Sequence, residues 1–153
     1  MQNKFLELLR NDAHKVGQYK LSSGRTSEHY INCKPVILSG KGLAMVSDMI
    51  LDRDLSALIV RKEPKGHGTG AWIEGPVLPE GSKIVVLEDV ITTGGSSIKA
   101  ATRLRDAGYE VNRIVTIVDR QVNNEANDFM ESVDLELISL YKLQDIANAS
   151  DKP

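Results

Sequence analysis

Glu88 and Asp89 stand side by side at the end of an apolar run, KIVVLED, and are followed at once by VITTGGSS. Thr92, Thr93, Gly94, Gly95, Ser96 and Ser97 make a small-residue turn that leads straight into a helix-like segment. Glycines let backbone amides approach a ligand with no Cβ in the way, hydroxyls add donors, and a helix start adds partial positive charge. Such a turn suits a phosphate. It is not a Walker loop, since no Lys follows the glycines, and it is not the dinucleotide pattern GxGxxG. Carboxylates are ill suited to the phosphate itself; they accept hydrogen bonds from hydroxyls or hold a divalent cation. A ligand with a 5′-phosphate beside a sugar diol satisfies both halves, its phosphate on the turn and its diol on Glu88 and Asp89. The plainer alternative is an ordinary strand-to-helix turn with two exposed acids.

A second constellation lies upstream, in RKEPKGHGTG. Arg61, Lys62, Lys65 and His67 put up to four positive charges in a glycine-rich loop. A solvated charge run normally carries fewer glycines and more helix formers. A mobile cationic loop of this kind can close over a polyanion and stabilise charge on a departing group. Taken alone it reads equally well as a surface loop; beside a phosphate turn the functional reading gains.

The elements that must position these groups alternate between α and β. Residues 3 to 14 place Phe5, Leu6, Leu8 and Leu9 on one face and predict an N-terminal helix. YKLSSGRTSEHYINCKPVIL predicts two short strands around a polar turn at Ser22 to Ser27. Ser39 is placed to cap a helix running to about Asp52, with Leu43, Val46, Met49 and Ile50 at helical spacing. SALIV reads as a strand that empties into a long loop holding Pro64, Pro76, Pro79 and five glycines, with room for one strand around Ala71 to Glu74. KIVVLED has the length and composition of a strand buried on both faces of a parallel sheet. SSIKAATRLRDAGYE follows as an amphipathic helix with Ile98, Ala101, Leu104 and Ala107 inward and Gly108 as its C-cap. NRIVTIVDR is a further buried strand, so residues 83 to 120 form a βαβ unit. VDLELISLYKLQDI predicts a late strand and a short helix.

Composition sets the outer bounds. The chain has 153 residues, the size of one domain, so a single domain over 1–153 is expected. With 19 Lys plus Arg against 21 Asp plus Glu it is close to neutral, which argues against a nucleic-acid partner gripped through counterion release. Cys33 is the only cysteine, so neither an intrachain disulfide nor a Cys-based metal site is possible. No apolar run approaches the ~20 residues of a bilayer span, and MQNKFLELLRNDAHKV is charged and helix-periodic rather than signal-like. A cytoplasmic protein without a membrane partner is expected.

VVLEDVITTGGSS resembles the signature of the type I phosphoribosyltransferases, which bind phosphoribosyl pyrophosphate (PRPP). VRKEPKGHGTG is similar to the mobile catalytic loop of the orotate branch of that family, and YKLSSGRTSEHYIN and VDRQ match it in order, so the likeness covers about residues 15 to 121. The resemblance implies a mostly parallel central sheet flanked by helices, with a small N-terminal hood. It implies that Glu88 and Asp89 contact the ribose hydroxyls of PRPP, with Val90, Thr92, Thr93, Gly94, Gly95 and Ser96 around its 5′-phosphate. Arg61, Lys62, Lys65 and His67 would contact the pyrophosphate, Lys65 as the principal electrostatic catalyst. Arg120 would pair with the orotate carboxylate, while Thr93, Tyr30 and Ile31 would line the base site. Mg²⁺ would arrive on the diphosphate, near Asp89, with no direct protein chelate. A homodimer sharing the 61–70 loop between subunits is implied as well. Some members carry Lys at the position of Ser22.

One stretch departs from the pattern. In the family, the helix starting near Ser39 is followed by a strand, a pyrophosphate-binding loop and another helix before the strand that ends in RK. Here Asp52, Arg53 and Asp54 lead almost at once to Ser56 and Ala57. One βα unit, on the order of 30 residues, is missing. Two expectations follow: transfer of the phosphoribosyl group to orotate, or a PRPP- or nucleotide-binding regulatory module, or an internally deleted form, with little or no transfer. Transfer to a purine or uracil is a weaker third, because Arg120 and the SGRTS turn suit an acidic pyrimidine.

Overall fold

Phe5 and Leu9 sit one helical turn apart and are both fully buried, which fixes how the N-terminus enters the fold. The computed structural model describes residues 2–21, 24–50, 55–63 and 72–148. Helix α1 (Gln2–Leu8) runs into a π-helical turn (Leu9–Ala13), and His14 already opens strand β1 (His14–Lys20). The N-terminal helix is therefore shorter than its apolar spacing predicts, because Ala13 and His14 are drawn into the hairpin: Asn32 donates to the Ala13 carbonyl. Strand β2 (Thr26–Ile31) pairs antiparallel with β1, matching the two expected strands. Helix α2 (Lys34–Ile37), unforeseen, starts with Pro35 in its first turn. Helix α3 (Gly40–Ile50) is capped as expected, the Ser39 hydroxyl accepting from the Gly42 amide at 3.0 Å. Leu43, expected on its buried face, is exposed.

Strand β3 (Ile59–Val60) pairs antiparallel with β4 (Ile73–Glu74) in a small separate sheet. The main sheet is parallel, in the order β5 (Lys83–Ile91), β6 (Glu110–Asp119), β7 (Glu136–Lys142). Helix α4 (Gly95–Asp106) crosses from β5 to β6, α5 (Glu125–Glu131) lies between β6 and β7, and α6 (Leu143–Ala147) closes the described chain. The Arg105 guanidinium donates to the carbonyls of Val111, Val133 and Asp134, tying the end of α4 to the start of β6 and to the turn before β7. Ile98, Ala101 and Leu104 pack inward as expected; Ala107, at the end of the helix, is exposed.

Two core clusters result. One joins Phe5, Leu9, Ile31 and Val36 to Ile117, Val118 and Tyr141; the other joins Val86, Ala101 and Leu104 to Ile114, Ala126 and Met130. The N-terminal elements thus cover only the C-terminal end of the sheet's second face. β5 is not buried on both faces, contrary to the reading of KIVVLED. Val85 and Leu87 are each 47% exposed, and among the described residues no strand pairs with the outer edge of β5. A run as apolar as this expects neighbours on every side, and among the described residues those neighbours are absent from its outer edge and one face. Among the described residues no helix is long and apolar enough to cross a membrane.

Candidate functional site

At the C-terminal end of β5 the chain turns through Thr92 and Thr93 to Gly94, whose φ of 75° is open to glycine at little cost. A Cβ there would meet the Met130 methyl at 2.7 Å and Ala126 at 3.3 Å, so conformation and packing both demand glycine. Helix α4 begins at the next residue, leaving its first amides unpaired toward the turn. Val90, Thr92, Thr93, Gly94, Ser96 and Arg120 line a cavity of about 280 Å³. Its hydroxyl and amide donors suit a phosphate group.

The paired acids sit below this cavity in unlike environments. Glu88 Oε2 accepts from the Ser97 hydroxyl at 2.8 Å and from Ser96 at 3.3 Å. Burial raises the Glu88 pKa above the usual carboxylate range; the serine donors oppose the shift and the Asp89 charge adds to it. Asp89 Oδ1 accepts from the Val90 amide at 2.9 Å. Beneath them the Cys33 thiol donates to the Asp89 carbonyl at 3.9 Å, and burial, with the Asp89 charge, pushes its pKa up to about 12. That leaves Cys33 an inert packing residue.

Arg120 enters from the end of β6. Its backbone amide donates to the Ile91 carbonyl at 2.9 Å, and Nη2 and Nε donate to Thr92 Oγ1 at 2.9 and 3.2 Å. Burial lowers its pKa, and the nearby Tyr30 and Asp89 partly restore it. The guanidinium stays charged, as arginine does at all ordinary pH. Tyr30, part exposed and stacked on Tyr19 with centroids 5.1 Å apart, brings the hood hairpin to this side of Arg120. Ile31 is buried in the N-terminal core and anchors the strand instead. Arg25, in the turn of that hairpin, bridges to Glu125 of α5 at 2.9 Å.

Two neighbouring residues have roles that the sequence does not predict. Gln121 donates to Asp119 Oδ2 at 3.1 Å and accepts from the amides of Ala126 and Asn127, capping α5 behind the cavity. Ser97, nearly fully buried, fixes Glu88. Both lie inside the quoted motifs VDRQ and TTGGSS, so position was legible; their roles depend on which way the side chains turn.

The cationic loop is reached only at its root. Arg61 pairs with Glu74 at 2.6 Å, and its carbonyl accepts from Arg103, which lies 3.8 Å over the Trp72 ring. Arg61 and Lys62 line a larger cleft, about 1000 Å³, together with Glu88 and Ser96; Ser96 also borders the smaller cavity. Lys65 and His67 lie outside the described residues. Among the described residues no group of three or more His, Cys, Asp or Glu could hold a metal ion. Glu88 and Asp89 alone suit a cation that comes with its own phosphate ligands, as magnesium commonly does.

The phosphoribosyl transferase domain family matches residues 24–142. An orotate phosphoribosyltransferase of Thermosynechococcus vestitus is 41% identical, over 95% of this chain and 93% of that protein. Among solved structures, orotate phosphoribosyltransferase of Mycobacterium tuberculosis in complex with Fe(III) dicitrate aligns with a TM-score of 0.75 at 27% identity, covering 95% of this chain and 98% of that one. The same enzyme in complex with PRPP gives a TM-score of 0.71 at 26% identity, with 95% and 98% covered. The Thermosynechococcus match runs over 177 positions, whereas 95% of 153 residues is about 145. About 30 of those positions have no counterpart here, the size of one strand–helix unit.

Proposed function

The chain belongs to the phosphoribosyl transferase domain family, among the orotate phosphoribosyltransferases, and from that membership we propose how its site carries out the transfer. The reaction moves the 5-phosphoribosyl group of PRPP to N1 of orotate, giving orotidine 5′-monophosphate and pyrophosphate. The bond from the anomeric carbon to pyrophosphate oxygen breaks as the bond to the ring nitrogen forms, and no covalent nucleophile is needed. The observation that carries this reading is the joining of two unlike subsites: a donor-lined cavity at Thr92, Thr93, Gly94 and Ser96, and the carboxylates of Glu88 and Asp89 on the strand just before it.

Each residue has a part. The unpaired amides at the start of α4 and the hydroxyls of Thr92, Thr93 and Ser96 hold the 5′-phosphate. Glu88 and Asp89 accept from the ribose hydroxyls, and the serines behind Glu88 keep that carboxylate aimed. Arg120 offers the free edge of its guanidinium to the orotate carboxylate, a charge-assisted pairing with the planar geometry arginine favours. Tyr30 flanks the base. Arg61, Lys62, Lys65 and His67 meet the departing pyrophosphate, with Lys65 supplying most of the stabilisation. Asp89 would lie near a Mg²⁺ ion brought in on the diphosphate, and that ion would supply charge neutralisation there. The whole chain works as one domain in the cytoplasm, as a homodimer in which residues 61–70 reach the partner's site.

A second reading has an observation of its own. Among the described residues nothing pairs with the outer edge of β5, beside the larger cleft that Arg61, Lys62 and Glu88 line. A chain lacking that wall could bind PRPP and transfer poorly. Mixing the purified chain with PRPP, Mg²⁺ and orotate and following loss of orotate absorbance separates the two. Turnover is expected; saturable PRPP binding with no turnover would leave the binding module.

A further inference from the structure

The rows of side chains across the main sheet show where the described residues leave it uncovered. Leu87 pairs in register with Val115, and Val115 with Ile138, so the three form one apolar row across β5, β6 and β7. Ile84 and Val86 pack against α4, so by strand alternation this row looks to the opposite face. Leu87 is 47% and Ile138 37% exposed there, and Val85 is 47% exposed one row below. One row further toward the C-terminal end, Ile117 is 5% exposed under the N-terminal elements. The bare region therefore stops where that cover begins. It adjoins the edge of β5, which pairs with no strand among the described residues, and both border the 1000 Å³ cleft, which Leu55, Leu58 and Leu78 also line.

An open edge beside an open apolar face is the footprint of one strand and one helix. The strand would satisfy the amides and carbonyls of β5, and the helix would cover the row. The size agrees with the roughly 30 positions of the Thermosynechococcus relative that have no counterpart here. The place agrees with the chain path, which leaves α3 at Ile50 and is already lining the cleft at Leu55.

We propose that this cleft is a docking site for a strand–helix segment of about 30 residues supplied by another chain, its strand adding to the edge of β5 and its helix seated on Leu87, Val115 and Ile138. The inference rests on membership of the family that carries those positions. Backbone pairing gives such an added strand affinity, and the apolar row gives the register.

The test uses the full chain and a synthetic peptide with the sequence that the Thermosynechococcus relative carries opposite the gap. Saturable binding by fluorescence anisotropy, a rise in melting temperature and slowed amide exchange along β5 are expected, with a scrambled peptide inert. Leu87→Asp and Ile138→Asp, both at half-exposed positions, should each weaken peptide binding at least tenfold while circular dichroism is unchanged. No saturation up to about millimolar peptide, the bottom of the useful affinity scale, overturns the proposal. So does unchanged affinity in both variants, or a native dimer that Leu87→Asp converts to monomer, which would seat a second copy in the cleft. PRPP binding is measured in parallel on the chain alone: its loss would overturn the assigned site, whereas peptide failure with PRPP binding intact strikes only the docking proposal.

Discussion

Arg120 donates to Thr92 Oγ1 through both Nη2 and Nε, at 2.9 and 3.2 Å, so the end of β6 is latched to the turn that follows β5. Arg120 and the turn that lines the smaller cavity are thereby held as one unit.

Replacing that latch separates charge from geometry. Arg120→Lys keeps the charge and loses the planar fork, so kcat/KM for orotate should fall about 10- to 100-fold, or roughly 1.4 to 2.7 kcal/mol, with PRPP affinity changed far less. Steady-state kinetics with each substrate varied would decide it. An equal loss of PRPP affinity would contradict the assignment to orotate.

Glu88 links stability to binding through one proton. Its pKa is raised chiefly by burial, so the folded chain holds that proton to higher pH than the unfolded chain does. The charged carboxylate therefore subtracts stability at neutral pH, and the penalty is relieved as pH falls through the raised value. Glu88→Gln should melt higher at pH 7 yet bind PRPP about tenfold more weakly, the loss of one charged acceptor. PRPP affinity of the native chain should decline with acidification at a pH above the ordinary glutamate value of about 4.3. Calorimetry across that range measures both.

Gly94→Ala combines a left-handed backbone with a methyl 2.7 Å from the Met130 methyl. The backbone term alone is about 1–2 kcal/mol. At roughly 2–4 °C per kcal/mol for a chain of this size, the melting temperature should drop by several degrees. Gly95→Ala, where a Cβ meets nothing within 4 Å, should leave stability nearly unchanged and serves as the control.

His14 and His29 stack with ring centroids 5.1 Å apart, and Nε2 of His14 lies 2.9 Å from Nδ1 of His29. Burial, and then the His29 charge, lower the His14 pKa. The unfolded chain thus binds the proton more readily, so the hairpin's stability is full above the ordinary value of about 6.5 and is lost as pH falls through the lowered one. Thermal melts between about pH 7 and pH 5, the histidine range, should show this slope, and His14→Gln should flatten it.

Much of this was legible because chemistry and periodicity agreed. The order of Glu88, Asp89, Thr92 and Gly94 places acids, turn and helix start without knowledge of the fold, and the Ser39 cap and the β5–α4–β6 unit follow from local pattern. Other features depend on distant neighbours. Ile31 reads as a site residue but is drawn into the core by Phe5 and Leu9. Leu43 keeps helical spacing yet faces outward. KIVVLED has the composition of a doubly covered strand; composition records the surroundings a strand suits, not whether the rest of the chain supplies them. The short helix at Glu125–Glu131 was missed because its cap is the Gln121 side chain, reaching forward from outside the usual capping position.

The bridge from Arg25 to Glu125 has a further consequence. It fastens the hood hairpin to α5, and its side chains are 51% and 41% exposed. An ion pair in such water contact is worth about 0–1 kcal/mol and is screened over about 8 Å at physiological ionic strength. The hairpin is therefore held chiefly by Ile31 in the core, and the Arg25–Glu125 bridge adds only a salt-sensitive fastening at its turn.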